Sequence, residues 1–265
     1  MIIIGEKINS SIPTSRAAIQ AKDAQTIICL AKAQSDAGAS FIDINAGMFL
    51  EREPEYLAFL AKTLDALCLP LSIDTPSAKA VRAALGAIEN KKGHLINSVT
   101  IENSRLEDMT SLAAEYGCGL VALCMQENGM PESLNSRLEI ADRLVNHLVQ
   151  HGIKASDIFI DPMLRPLGAD ETAGTDALET IRQLRALFPE SHISVGLSNL
   201  SFGLPCRRLL NRTFASAAMT AGLDAAIADP LDRELMGQIA ACEAILGIDE
   251  YCLEFIGKFR SGLIG

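Results

Sequence analysis

The chain has 265 residues, 49% of them hydrophobic and 21% charged, which is enough apolar material for one large core or two small ones. A net charge of −10 without a Lys/Arg-rich run argues against a nucleic-acid surface, because phosphate binding needs a basic face. Seven cysteines form no CxxC pair, and the start has neither a basic segment nor a long apolar one, so a cytoplasmic, non-membrane protein with reduced thiols is expected. Cys29, Cys68 and Cys242 fall in apolar helical patterns and read as small core residues. His147 and His151 stand four apart with no acid between them, so no histidine-based metal site is expected.

Along the chain one pattern recurs: a short apolar run, polar residues at its C-terminal end, then an amphipathic helix. Ile2–Ile4 leads into Gly5-Glu6-Lys7-Ile8-Asn9, and a helical pattern with Ile27, Ile28, Leu30 and Ala31 follows Asp23. Phe41–Asn45 precedes a helix through Tyr56, Leu57, Leu60 and Leu64. Leu71–Asp74 precedes a helix holding Val81 and Leu85, with Pro76 near its first turn. His94–Ser98 precedes a helix with the capping-box pattern Ser104-x-x-Glu107. Leu120–Leu123 runs through Cys124 and Met125 into a loop, Gln126–Glu132, and then a helix to about Gln150. Ile158–Asp161 stops abruptly at Asp161-Pro162, and a long loop over 163–174 precedes a helix with Ile181, Leu184 and Leu187. Ile193–Gly196 ends in a loop carrying Ser198 and Asn199, followed by a helix from about Arg207 to Ala221. Ala225–Ala228 is the eighth strand, and the last helix runs from Asp232 to about Leu246.

Eight such units with continuous apolar strands predict a parallel sheet covered by helices. At this length they fit an α/β fold in the form of a single (β/α)8 barrel over residues 1–265. A doubly wound open sheet is the structural alternative, but no GxGxxG or GxxxxGK[ST] follows any strand. In a barrel the C-terminal strand ends converge, which would gather Glu6, Asn9, Asp43, Asn45, Asp74, Asn97, Asp161, Ser198, Asn199 and Asp229. Such a set suits a hard cation held by oxygens, or an organic ligand rich in N–H donors, better than a phosphorylated sugar. Asp43 and Asp229, close to turns, read equally well as caps.

The GEKIN start, the IDT ending at Asp74, the INS around Asn97, FIDP with Asp161, and VGLSN followed by LLNRTF and GLDAAIAD resemble the methyltetrahydrofolate:corrinoid-protein methyltransferases. These are pterin-binding barrels, related to dihydropteroate synthase and to the folate domain of cobalamin-dependent methionine synthase. The resemblance spans nearly the whole chain. It implies a homodimer that moves a methyl group between N5 of methyltetrahydrofolate and the cob(I)alamin of a separate corrinoid protein. It also implies that Asp74, Asn97 and Asp161 hold the pterin, that Asn199 reaches N5 and that Gly196 and Ser198 line the pocket, with Glu6 and Arg207 as further contacts. Phe202 and Gly203 stand where some relatives carry polar residues, which leaves the folate-tail contacts undefined. No metal is implied. The barrel accounts for all 265 residues, so no fused cobalamin module is expected.

The chemistry is consistent with these residue types. A carboxylate can accept the N3–H and the 2-amino group of a pterin side by side. Asn199 can donate to N5 but cannot supply a proton, so the proton is expected from water or from a carboxyl network that includes Asp161. Three other readings remain. A dihydropteroate synthase-like enzyme displaces pyrophosphate and needs cations near the pocket, whereas Asn199-Leu200 follows the seventh-strand serine here. The others are a non-catalytic folate- or pterin-binding protein and an oxygen-ligated metal hydrolase.

Overall fold

In the computed structural model, residues 1–90, 93–126, 129–131 and 133–264 are described. The first half runs β1 (Ile2–Asn9), α1 (Pro13–Gln20), α2 (Ala24–Asp36), β2 (Phe41–Asn45), α3 (Glu53–Asp65), β3 (Leu71–Asp74), α4 (Ala78–Gly86), β4 (Leu95–Val99) and α5 (Asn103–Tyr116). The second half runs β5 (Gly119–Leu123), α6 (Leu134–Gln150), β6 (Ile158–Asp161), α7 (Ala173–Leu187), β7 (His192–Gly196), α8 (Leu197–Leu200), α9 (Arg207–Ala221), β8 (Ala225–Ala228), α10 (Arg233–Ile245) and α11 (Leu253–Arg260). The eight strands are parallel and close into a barrel in sequence order, with β1 paired to β8 from Ile2↔Ala225 to Gly5↔Ala228. The fold is a (β/α)8 barrel, as the strand–helix alternation predicts.

Strand periodicity decides what each face holds. Ile3, Ile42, Ile44, Leu71, Ile73, Ile96, Leu120, Ile160, Ile193 and Val195 point outward and are buried against helical residues such as Leu57, Leu60 and Leu144. Each fully buried Ile or Leu there contributes roughly 1.5–3 kcal/mol relative to exposure. Ile4, Leu95, Val121, Phe159 and Ala225 point inward and form a separate apolar plug in the barrel. Two residues further along the same inward faces stand Glu6, Asn97, Leu123 and Asp161, and Asp43 follows inward-packed Phe41 in the same way. The interior is thus dry at one end and polar at the C-terminal strand ends.

Several helix starts carry the caps their sequences offer. Asp23, Ser77, Ser133 and Asp232 each accept from a backbone N–H three residues on, which satisfies one of the donors a helix start leaves open. Gly222 ends α9 at φ +110, and a Cβ there would lie 2.8 Å from Arg185 Cβ, so the turn into β8 requires glycine.

The structure corrects several expectations. Ser104 does not cap α5: the N-cap position is Glu102, without a side-chain cap bond. Ser198 and Asn199 sit in the short helical turn α8 rather than in an irregular loop. Helix α10 is not the last, because α11 follows it, and α1 between β1 and α2 was not predicted. Cys29 and Cys68 are exposed, so neither is a core residue, whereas Cys242 is half-buried and packs against the edge of the core. The predicted loop Gln126–Glu132 lies partly outside the described residues. Among the described residues, no helix is long and apolar enough to cross a membrane.

Candidate active site

Asn9, Asn45, Asp74 and Asn97 are register partners in turn across β1 to β4, so four polar side chains form one row at the mouth. The Asn45 amide is fixed in direction. Its Oδ1 accepts from Ser10 Oγ at 2.9 Å and from the Gly47 N–H at 3.1 Å, while its Nδ2 donates to Asp74 Oδ2 at 3.0 Å. Asp74 Oδ1 accepts from none of the described residues. One layer deeper, Asp43 Oδ1 accepts from Ser72 Oγ at 2.6 Å and from Asn97 Nδ2 at 3.4 Å. Asp43 is therefore not a cap; it sits buried in the barrel and orients Asn97, leaving the amide oxygen of Asn97 as an acceptor.

Asp161 and Asn199 line one cavity of ≈360 Å³, together with Leu123, Met130, Met163, Leu164, Pro166 and Phe202. The turn after β6 holds the acid: the Met163 N–H donates to Asp161 Oδ1 at 2.7 Å, with Met163 in the left-handed region at φ 62. That conformation costs a non-glycine residue about 1–2 kcal/mol and is of the kind that clusters at functional sites. The Asn199 side chain makes no hydrogen bond with the described residues and is exposed to the cavity. No Lys or Arg lines this cavity among the described residues.

An adjoining cleft of ≈270 Å³ is lined by Glu6, Ser198, Arg207, Arg208, Asn211 and Asp229 among others. Ser198 and Glu6 line this cleft together, and Arg207 donates to the Ser198 carbonyl at 2.7 Å. Lys7 Nζ donates to Asp229 Oδ2 at 3.0 Å. The candidate residues therefore fall into three connected groups: Asp74 and Asn97 with Asp43 and Asn45, Asp161 with Asn199, and Glu6 with Ser198 and Arg207. Gly196 lies beneath Asn199, where a Cβ would come 2.9 Å from its Nδ2.

These acids carry an unusual charge state. Burial pushes Asp161 up to about 7. Burial raises Asp74 to about 6, partly offset by the Asn45 hydrogen bond. Burial and then the Asp229 charge raise Glu6 to about 6, partly offset by Lys7 and Arg207. Asp43 is driven well above the carboxylate range by burial and then by Asp74. Burial disfavours the charged form of each carboxylate, and perturbed acids gathered in a cleft make it a candidate binding site.

Sequence reasoning left Asp43 undecided, placed Asn45 at the mouth without its role of holding Asp74, and missed Ser72 and Met163. The inward alternation from Phe41 through Asp43 to Asn45 was the available signal for the first two. Nothing local in the sequence announces Met163.

A family model described as pterin binding enzyme matches residues 9–229. A methylcorrinoid:tetrahydrofolate methyltransferase from Eubacterium limosum is 36% identical, the match covering 100% of this chain and 98% of that protein. A methionine synthase from Mycobacterium tuberculosis is 31% identical over 86% of this chain but only 20% of its own length. Yersinia pestis dihydropteroate synthase with a pterine-sulfa conjugate superposes with a TM-score of 0.71 at 20% identity, covering 93% of each chain, which speaks for the fold alone. The chain belongs to the pterin-binding enzymes, in the family of the methylcorrinoid:tetrahydrofolate methyltransferase.

Proposed function

We propose that the protein transfers a methyl group between N5 of methyltetrahydrofolate and the corrinoid of a separate protein. The observation that carries this reading is the cavity holding Asp161 and Asn199, which no Lys or Arg lines among the described residues, Arg207 and Arg208 standing in the adjoining cleft: Asp74, Asn97 and Asp161 offer acceptors, and Asn199 offers an amide that bonds to none of the described residues. A neutral ring edged with N–H groups satisfies such acceptors without the cations that a departing pyrophosphate would require. That favours methyl transfer over dihydropteroate synthesis. The resemblance to the Eubacterium limosum enzyme supports the same choice.

Asp74 or Asp161 would accept from the paired N–H donors of the pterin, with Asn97 held by Asp43 as a further acceptor. The corrinoid supplies a nucleophilic reduced cobalt, or in the reverse direction carries the methyl group. Asn199 donates a hydrogen bond to N5, so that the amine leaves without full negative charge as the methyl carbon is displaced in line. Asp161, with a pKa of about 7, holds a proton for part of the time near neutrality and is suited to relay it towards N5 through water. Glu6, Ser198 and Arg207 form the adjoining wall. A homodimer in the cytoplasm belongs to the same reading and is checked by light scattering of the purified chain.

The test is transfer between methyltetrahydrofolate and free cob(I)alamin, followed by the loss of cob(I)alamin absorbance. The wild-type chain should form tetrahydrofolate, and Asn199→Ala should slow the transfer by about 10²-fold. Ligand binding without product would make this a binding protein, and a variant at wild-type speed would remove Asn199 from the mechanism.

A further inference from the structure

On the outer wall of the barrel, α5 and the C-terminal end of α6 bring Glu107, His147 and His151 together. His147 lies in the last turn of α6 and His151 is its C-cap residue, their rings stacked with centroids 4.1 Å apart and planes at 28°. His151 Nδ1 is 2.8 Å from the carbonyl oxygen of His147. A carbonyl only accepts, so the ring proton belongs on Nδ1, and His151 Nε2 presents a lone pair. That lone pair faces Glu107 Oε2 at 4.0 Å. His147 Nε2, closed off from solvent and without a hydrogen-bond partner among the described residues, faces Glu107 Oε1 at 4.0 Å. The three ligand atoms all lie within 4.8 Å of one another.

The Glu107 carboxylate and the His151 lone pair turned towards one another call for a proton or a metal cation between them, and His147 Nε2 can add a third lone pair when its proton sits on Nδ1. Protonating both rings would stack two positive charges 4.1 Å apart. The compensating ion pairs, at 4.0 Å, are too long for charge-assisted hydrogen bonds. A single Zn²⁺-type ion would satisfy all three atoms after they close in by a fraction of an ångström, since its bonds to N and O run about 2.0–2.2 Å. The Nδ1–carbonyl bond is also the kind of outer contact that fixes a histidine for metal binding. We propose that Glu107, His147 and His151 form a borderline-metal site, suited to Zn²⁺, that pins α5 to α6, with water completing the coordination. The sequence hid it because the acid comes from a different helix, at a position that reads as part of a capping box.

The experiment uses the full chain, stripped with a chelator and titrated with Zn²⁺ by calorimetry, with Co²⁺ as a spectroscopic probe. One Zn²⁺ per chain is expected, together with a Zn²⁺-dependent rise in melting temperature. His147→Ala and Glu107→Gln should each weaken binding by at least about tenfold, while methyl transfer stays unchanged. Should His147→Ala melt below the wild type without metal, His151→Asn carries the same test from the more exposed position. Binding should survive alkylation of the thiols. The site is refuted by a wild-type melting temperature indifferent to Zn²⁺, by binding that persists in the His147→Ala/His151→Asn double variant, or by binding that disappears once the thiols are blocked.

Discussion

Asn199 owes its position to a missing side chain. Its amide occupies the space where a Cβ on Gly196 would lie, 2.9 Å from Nδ2, on a turn whose φ and ψ any residue could adopt. Gly196→Ala should therefore fold normally yet push the amide aside, and a displacement of about 1 Å costs on the order of 10²-fold in rate. Unaltered kinetics in that variant would show that the amide's placement does not matter. Asp161 leads to a second prediction with a definite sign. Its carboxyl is raised from the ordinary 3.8 to about 7, so the stability it contributes is present below pH about 4 and is lost as pH rises through 7. The displacement corresponds to on the order of 4 kcal/mol between the two protonation states. Asp161→Asn, neutral throughout, should melt higher than the wild type at pH 8, with the difference shrinking at pH 5, while pterin affinity falls. Melting curves at the two pH values decide it, and a constant difference would mean that Asp161 is not a strained acid.

The elements place these residues by alternation. Ile4 to Glu6, Leu95 to Asn97 and Phe159 to Asp161 are the same two-residue step, from the apolar plug to the polar rim. That step was legible in the sequence, which is why the strand-end acids and amides could be named from the apolar runs alone. The long segment after β6 was not legible. Its sequence reads only as a long loop, but Arg165 ties it to Asp170 at 2.5 Å and to Asp176 at 2.8 Å, and the Leu167 N–H donates to the Leu200 carbonyl at 2.9 Å. Pairings between residues five and eleven apart in an irregular segment leave no periodicity to read. Arg165→Ala should remove about 1 kcal/mol of local stability, read as amide exchange about fivefold faster over 163–172. Unchanged exchange would mean that backbone contacts alone hold the segment.

For the molecule as a whole, eight repeated units and the lack of a phosphate loop point to the closed barrel, and the barrel brings the mouth residues together. What the sequence could not supply was the division of that mouth. Glu6, Ser198 and Arg207 share one cleft and Asp161 with Asn199 another, because α8 turns Ser198 and Asn199 in different directions. Helix α11 was also missed; it leaves Leu253 and Phe259 exposed. The most direct test of the acid-and-amide mouth is a calorimetric titration comparing methyltetrahydrofolate with dihydropterin pyrophosphate, on the wild type and on Asp74→Asn and Asp161→Asn. Methyltetrahydrofolate should bind and weaken in both variants, and the pyrophosphate should add nothing to the affinity of its ring. Tighter binding of the pyrophosphate ester than of the same ring without it, or variants that bind methyltetrahydrofolate as the wild type does, would contradict the account.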